Sequence, residues 1–120
     1  MSEFRFLKLR VYDEAKVLYR KTVFLTKTYP QEFHYLKDQL RRAALSIVLN
    51  IAEGSGKSSD VDFRRFIYLS LGSIHELIAG FDISLADKLI EQQEFSAILI
   101  QAENLKNQLG SFVKRLSAGG

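Results

Sequence analysis

Apolar side chains recur along this chain every three or four residues in four successive stretches, the spacing that stacks them on one face of an α-helix. The first stretch covers about residues 8–29, with Val11, Ala15, Leu18, Thr22, Leu25 and Tyr29 on one seam. The second covers about 32–54 and turns Leu36, Leu40, Ala43 and Ile47 inward. The third, about 59–87, does the same with Phe63, Phe66, Ile67, Ser70, Ile74, Leu77, Phe81 and Leu85. The fourth, about 92–116, offers Phe95, Ile98, Leu99, Ala102, Leu105, Leu109, Phe112 and Leu116. No stretch shows the sustained two-residue alternation of a strand. Four helices with short connections predict an all-α protein, an antiparallel up-down-up-down four-helix bundle forming a single domain over residues 1–120.

The connections carry their own signals. Pro30, the sole proline, closes the first helix, because proline disfavours helical geometry in the residue before it. Gly54-Ser55-Gly56 ends the second, with glycine suited to a left-handed cap. Ser58, Ser59 and Asp60 are N-cap candidates for the third. The break at 87–92 has neither glycine nor proline and is the weakest. Gly110 inside the fourth helix costs about 1 kcal/mol against alanine.

Two departures from a plain bundle stand out. In the second helix Gln39, Arg42, Ser46, Asn50 and Glu53 fall in a polar stripe beside the core face. Buried charges need partners, and the small residues Gly72, Ser73 and Gly80 should let the second and third helices approach. Glu53 and Glu76 are therefore the expected partners of Arg41 or Arg42, within a network of Gln39, Arg41, Arg42, Ser46, Asn50, Glu53, Ser73 and Glu76 that fixes helix register. The second departure is surplus apolar surface. A bundle helix needs an apolar stripe of roughly 100°, and Tyr12, Tyr19, Leu45, Val48 and Leu49 lie outside it. Contiguous surface of that kind predicts self-association.

Composition narrows the function classes. The chain has 120 residues, 47% of them hydrophobic, which suits one unstapled core. Without cysteine there is no disulfide or thiolate site, which fits a reducing cytoplasm. No apolar run approaches the roughly 20 residues that span a bilayer, and the first residues do not read as a signal peptide. A membrane partner is not expected. The net charge of +3 is unevenly spread. Lys8, Arg10, Lys16, Arg20, Lys21 and Lys27 crowd the first quarter, where they solvate a face or meet phosphate. Lys16, Arg20 and Lys27 share one exposed side of the first helix.

Candidate chemistry is sparse. Gly54-Ser55-Gly56-Lys57-Ser58 fails the phosphate-loop pattern, because the required earlier glycine is Ile51 and a helix rather than a strand precedes it. His34 and His75 lie on different helices without ligand-spaced partners. No triad, paired carboxylate or Glu-x-x-His motif is evident. The reading is a non-enzyme with no metal and no cofactor.

The runs Gln39-Leu40-Arg41-Arg42-Ala43-Ala44, Ser46-Ile47, Asn50-Ile51-Ala52-Glu53-Gly54 and Gly72-Ser73-Ile74-His75-Glu76-Leu77, with Phe63 and Phe66, resemble the four-helix-bundle family named for the 23S rRNA intervening sequence, also called S23-like ribosomal proteins. Phe6, Leu9, Ala15, Pro30 and Lys57 also fit that pattern; Val48 departs from it, where a proline is frequent. The resemblance implies a bacterial four-helix bundle that assembles as a ring, a homopentamer. It extends more distantly to the basic accessory proteins of diversity-generating retroelements, which bind nucleic acid. The family name records where some of the genes lie, and the family's biochemical role is undefined. The expectation is a ring-forming bundle that binds RNA or DNA weakly through the six basic residues of the first helix. The rival is a scaffold that binds another protein through its apolar flanks.

Overall fold

The computed structural model describes residues 4–119, which form four α-helices: α1 (Arg10–Thr26), α2 (His34–Ser55), α3 (Asp60–Ala86) and α4 (Gln92–Gly119). Two short 3-10 turns, Arg5–Lys8 and Gln31–Phe33, precede α1 and α2. There is no strand among the described residues. The bundle measures 46 × 23 × 21 Å.

Cross-helix contacts run in opposite order on every neighbouring pair, so the helices alternate in direction. Gly54 meets Phe63 and Phe66, Ser46 meets Ser73, and Leu40 meets Gly80 between α2 and α3. Phe112 stacks edge-on against Phe63 between α4 and α3, with ring centroids 5.1 Å apart. Arg41 near the start of α2 reaches Val23 and Thr26 near the end of α1. Packing of α1 on α4 closes the square.

The seam residues of α1 are all buried, as are Leu36, Leu40, Ala43 and Ile47 of α2. On α3 only Leu85 is half-buried, and on α4 Ile98, Ala102, Leu105 and Leu109 are buried while Phe95, Leu99, Phe112 and Leu116 pack at the rim. Helix α2 buries more than one stripe, because it wedges between α1 and α3. Ala44, Val48 and Ile51 are buried too. Val48, expected on the outer flank, therefore belongs to the protomer's own core.

The glycines do a different job from the one expected. Gly56 at the α2 C-cap has φ −89°, and no described glycine has positive φ. Gly54 matters for space: a Cβ there would lie 2.7 Å from Phe66 Cβ, a rigid stem. A Cβ on Gly80 would lie 2.5 Å from Leu40 Cδ2, the far end of a flexible side chain. Ser70, buried, donates to the Ile47 carbonyl at 3.0 Å and ties α3 to α2.

The helix ends have local causes. Ser59 caps α3 by accepting from the Asp62 amide at 3.2 Å. Helix α1 ends at Thr26 rather than at Tyr29: Pro30 is extended (φ −60°, ψ 156°) and starts the second 3-10 turn. Tyr29 folds back into the core, where burial raises its phenol pKa and the charge of Glu94 adds to the rise. Ser84 opposes the shift, but its hydroxyl donates to the Gly80 carbonyl and no well-formed bond reaches the Tyr29 oxygen. The break after α3 is made by Lys88 in the left-handed region (φ 61°), with Leu89 N–H donating to the Ser84 carbonyl at 2.9 Å. This is the capping pattern that usually takes glycine. At the other end of the bundle Arg5 donates from Nε to the Ser55 carbonyl at 2.8 Å and stacks over Phe63 at 4.9 Å, so the first 3-10 turn closes the α2 C-terminus.

Helix α3 meets the length and apolarity that crossing a membrane requires, with mean hydropathy 1.3 in its most apolar window, contrary to the expectation that no segment comes near it. Core helices meet the same test; Phe63, Ile67, Ile74, Leu77 and Phe81 are buried in the bundle, while Tyr68, Leu69 and Ile83 stay exposed and 33% of the apolar window is buried.

Replacing Gly54 with alanine forces a backbone shift against Phe66 and is expected to lower stability by about 1–3 kcal/mol. Gly110 has nothing within 4 Å of an added Cβ, so Gly110→Ala is expected to raise stability by up to about 1 kcal/mol. Urea unfolding of the two variants beside the parent checks both signs.

Candidate nucleic-acid interface

The antiparallel topology brings the start of α1, the end of α2, the start of α3 and the end of α4 to one end of the molecule. Cations collect there from segments far apart in sequence: Arg5, Lys8 and Arg10, then Lys57, Arg64 and Arg65, then Lys114 and Arg115. The opposite end holds Glu32, Asp82, Asp87, Glu91 and Glu94 against Lys27, Lys37 and Lys88, while Glu53, Asp60 and Asp62 offset part of the charge at the basic end. The bundle is thus electrically lopsided along its long axis.

Between α1 and α4 the basic end opens into a groove of about 480 Å³. Lys8, Leu9, Arg10 and Val11 line one side, and Asn107, Gln108, Ser111, Phe112 and Arg115 the other. No carboxylate lines it. The Arg10 side chain is 82% exposed and only loosely tied, its Nε 3.5 Å from Glu14. Arg115 lies over the Phe112 ring at 5.3 Å. Leu9 at the α1 N-cap supplies no side-chain oxygen, so the positive end of the helix dipole faces the same side uncapped by a side chain.

The six basic residues singled out from the sequence do not form one surface. Lys8 and Arg10 enter this groove. Arg20 and Lys27 line a separate one of about 390 Å³ with Tyr19, Val23 and Phe24. Lys16 is held by Asp13 at 3.6 Å and lies over the Tyr12 ring at 4.8 Å. Lys21 is half-buried. Sequence reading missed Arg115, whose place beside Lys8 follows only once α4 is known to return antiparallel to α1. It also missed Arg65, which stacks on Phe66 at 4.6 Å beside Lys57 at 5.1 Å.

The polar stripe on α2 makes different bonds from those expected. Arg41 turns toward α1, donating to Thr26 Oγ1 at 3.0 Å and the Val23 carbonyl at 3.2 Å. Glu76 accepts from Gln39 at 2.7 Å. Glu53 is exposed and 4.0 Å from Lys57. Arg42 is exposed and makes no hydrogen bond or ion pair among the described residues. No arginine–glutamate pair links α2 to α3, because the rotation of α2 that buries Val48 points Arg41 at the carbonyl end of α1. Ser46 Oγ receives bonds from Asn50 at 3.0 Å and Ser73 at 2.9 Å, so this small cluster bridges the two helices without charge.

The outer side of α2 is open in the single chain, with Leu45 41% and Leu49 54% exposed. Beyond them Phe4, Phe6 and Ala52 join Leu49 around a shallow groove, and Tyr19 meets Leu45 beside Asp38 and Arg42. On α3, Tyr68 and Leu69 are exposed. Nearby Gly72 has nothing within 4 Å of an added Cβ, so nothing within the protomer calls for a glycine there. No cluster of metal-ligating side chains occurs among the described residues.

The model of the 23S rRNA-intervening sequence protein family matches residues 7–111. Among solved structures, the chain is similar to a protein of unknown function from the S23 ribosomal protein family of Bacteroides thetaiotaomicron VPI-5482, with TM-score 0.81 at 22% identity, over 87% of this chain and 98% of that one. At that identity the likeness speaks for the fold. Comparison with curated proteins finds no match.

Arg41 satisfies the α1 C-terminus with a charge-assisted contact, so Arg41→Met is expected to cost about 1–3 kcal/mol of stability. Arg42→Met, at an exposed site without partners, should change it by less than about 0.5 kcal/mol. Denaturant midpoints at constant m-value separate the two.

Proposed function

The chain belongs to the 23S rRNA-intervening sequence protein family, and on that premise we propose that it is a non-enzymatic, self-associating bundle that holds RNA or DNA by its sugar-phosphate backbone. The observation that carries this reading is the groove at the basic end, built from Lys8, Arg10 and Arg115 and lined by no carboxylate. Phosphate contacts of this kind fix a nucleic acid in place without reading its sequence. Further cations on the same end, Lys57, Arg65 and Lys114, extend the favourable field beyond the groove. The cytoplasm is the compartment this role requires.

Self-association rests on the exposed Leu45, Leu49, Tyr68 and Leu69 and on Gly72. A bare glycine in mid-helix is unfavourable by about 1 kcal/mol, and close approach of another backbone would repay it. The family resemblance supplies the expected form, a ring of five. Ring symmetry would repeat the basic groove around one rim, turning weak single contacts into useful avidity.

Binding of a fluorescent RNA across a salt series tests the first part. The logarithm of the affinity should fall linearly with the logarithm of salt, and the combined change of Lys8, Arg10 and Arg115 to glutamine should flatten that slope by up to about 2. An affinity indifferent to salt, or no binding, would sink it. A protein partner recovered after nuclease treatment would favour the scaffold reading.

Light scattering tests the second part. The parent should run as a multimer, and Gly72→Arg should disperse it while far-ultraviolet circular dichroism stays that of a helical bundle. A parent that remains monomeric at every concentration ends the ring proposal.

A further inference from the structure

The two walls of the basic groove differ in chemistry. The α1 wall offers Lys8 and Arg10, cations suited to phosphate. The α4 wall offers Asn107, Gln108 and Ser111, which both donate and accept hydrogen bonds, and the half-buried Phe112 ring beneath the Arg115 guanidinium. Asn, Gln and Ser side chains bond phosphate and sugar as well as bases, so it is the aromatic ring with its guanidinium that sets this wall apart. Amides match the donor and acceptor edges of nucleobases, and an aromatic ring with a stacked guanidinium matches their flat faces. In a duplex those faces are stacked and closed off.

We propose that this groove receives one unpaired nucleotide of an RNA or DNA strand, with its phosphate at Lys8 and Arg10 on α1 and its base against Phe112, Arg115 and the Asn107 and Gln108 amides on α4. The inference rests on the nucleic-acid reading above and narrows its ligand to single strands. Phe112 is well placed for the role. Its edge-to-face contact with Phe63 holds the ring, at 5.1 Å and 60° between planes, and the Arg115 guanidinium lying over it is the flat surface a base would meet. The base contact is tolerant of sequence, because every base has a π face.

The experiment compares a short single strand with a hairpin duplex of the same composition, in ribose and deoxyribose forms, by fluorescence anisotropy on the full chain at low salt. The single strand is expected to bind about tenfold tighter. Phe112→Leu, which keeps apolar bulk and removes the ring, should erase that preference, bringing single-strand affinity down to that of the duplex. A single strand carrying 5-iodouracil, irradiated on the parent protein, should cross-link to the α4 peptide that contains Phe112. This second measurement does not depend on the variant folding. Tighter binding of the ribose form would place the 2′-hydroxyl among the contacts; equal binding of both sugars would place recognition on phosphate and base, and both outcomes support the unpaired-nucleotide site. Equal affinity for single strand and duplex, with cross-links absent from α4, overturns this inference and leaves the backbone-binding proposal standing. No binding of either nucleic acid overturns both.

Discussion

Helices α2 and α3 approach one another closely enough that side chains have been removed to let them. Gly54 clears the stem of Phe66, Gly80 clears Leu40, and Ser70 fills the remaining gap with a bond to the Ile47 carbonyl. At Gly54 this is a geometric constraint before it is an energetic one, since a methyl group there would strike the stem of Phe66, whereas at Gly80 it would meet the flexible end of Leu40. It sets the rotation of α2. That rotation buries Val48 beside Ile47 and Ile51, sends Arg41 toward the end of α1, and leaves Leu45 and Leu49 facing outward. The uncharged Ser46–Asn50–Ser73 cluster fits where a longer ion pair would have held the helices apart.

The alternation of helix direction has an electrostatic result. Cations from Arg5–Arg10, Lys57–Arg65 and Lys114–Arg115 share one end because the chain visits that end repeatedly. Local acids temper part of this charge: Asp13 holds Lys16 and Asp62 lies 3.7 Å from Arg65. Such exposed pairs contribute little to stability. Where α1 and α4 diverge, Glu14 lies 3.5 Å from Arg10 but no carboxylate lines the groove itself, and that is where the candidate site lies.

Much of the fold was legible in the sequence because helical periodicity is a local property. The inward positions of α1, such as Ala15 and Leu18, stand out from spacing alone, and the four helices lie within a few residues of their expected bounds. Val48 and Ala44 were not legible as core, since a wedge helix is covered on two sides and a single stripe does not describe it. The turn at Lys88 was faint because a lysine occupies the left-handed position that glycine usually marks. Of the candidate site, Lys8 and Arg10 were visible as part of a basic run, but nothing local separates them from Lys16 or Lys27. Arg115 lies more than a hundred positions away, and only tertiary structure brings it near. The partners of Arg41 were misjudged for the same reason: the wheel gives its side of the helix, and packing decides what stands opposite.

The strap formed by Arg5 has a practical bearing on how this protein is handled. An expression boundary trimmed to the first residue of α1 would look harmless, since Arg5–Lys8 is only a short turn. It would strip the guanidinium from the Ser55 carbonyl and from the face of Phe63, leaving the α2 terminus frayed beside the ring that steadies Phe112. A shortened protein that lost affinity would then mislead, because the cut also takes Lys8 out of the groove, and a loosened α2 terminus would be mistaken for the loss of that cation alone.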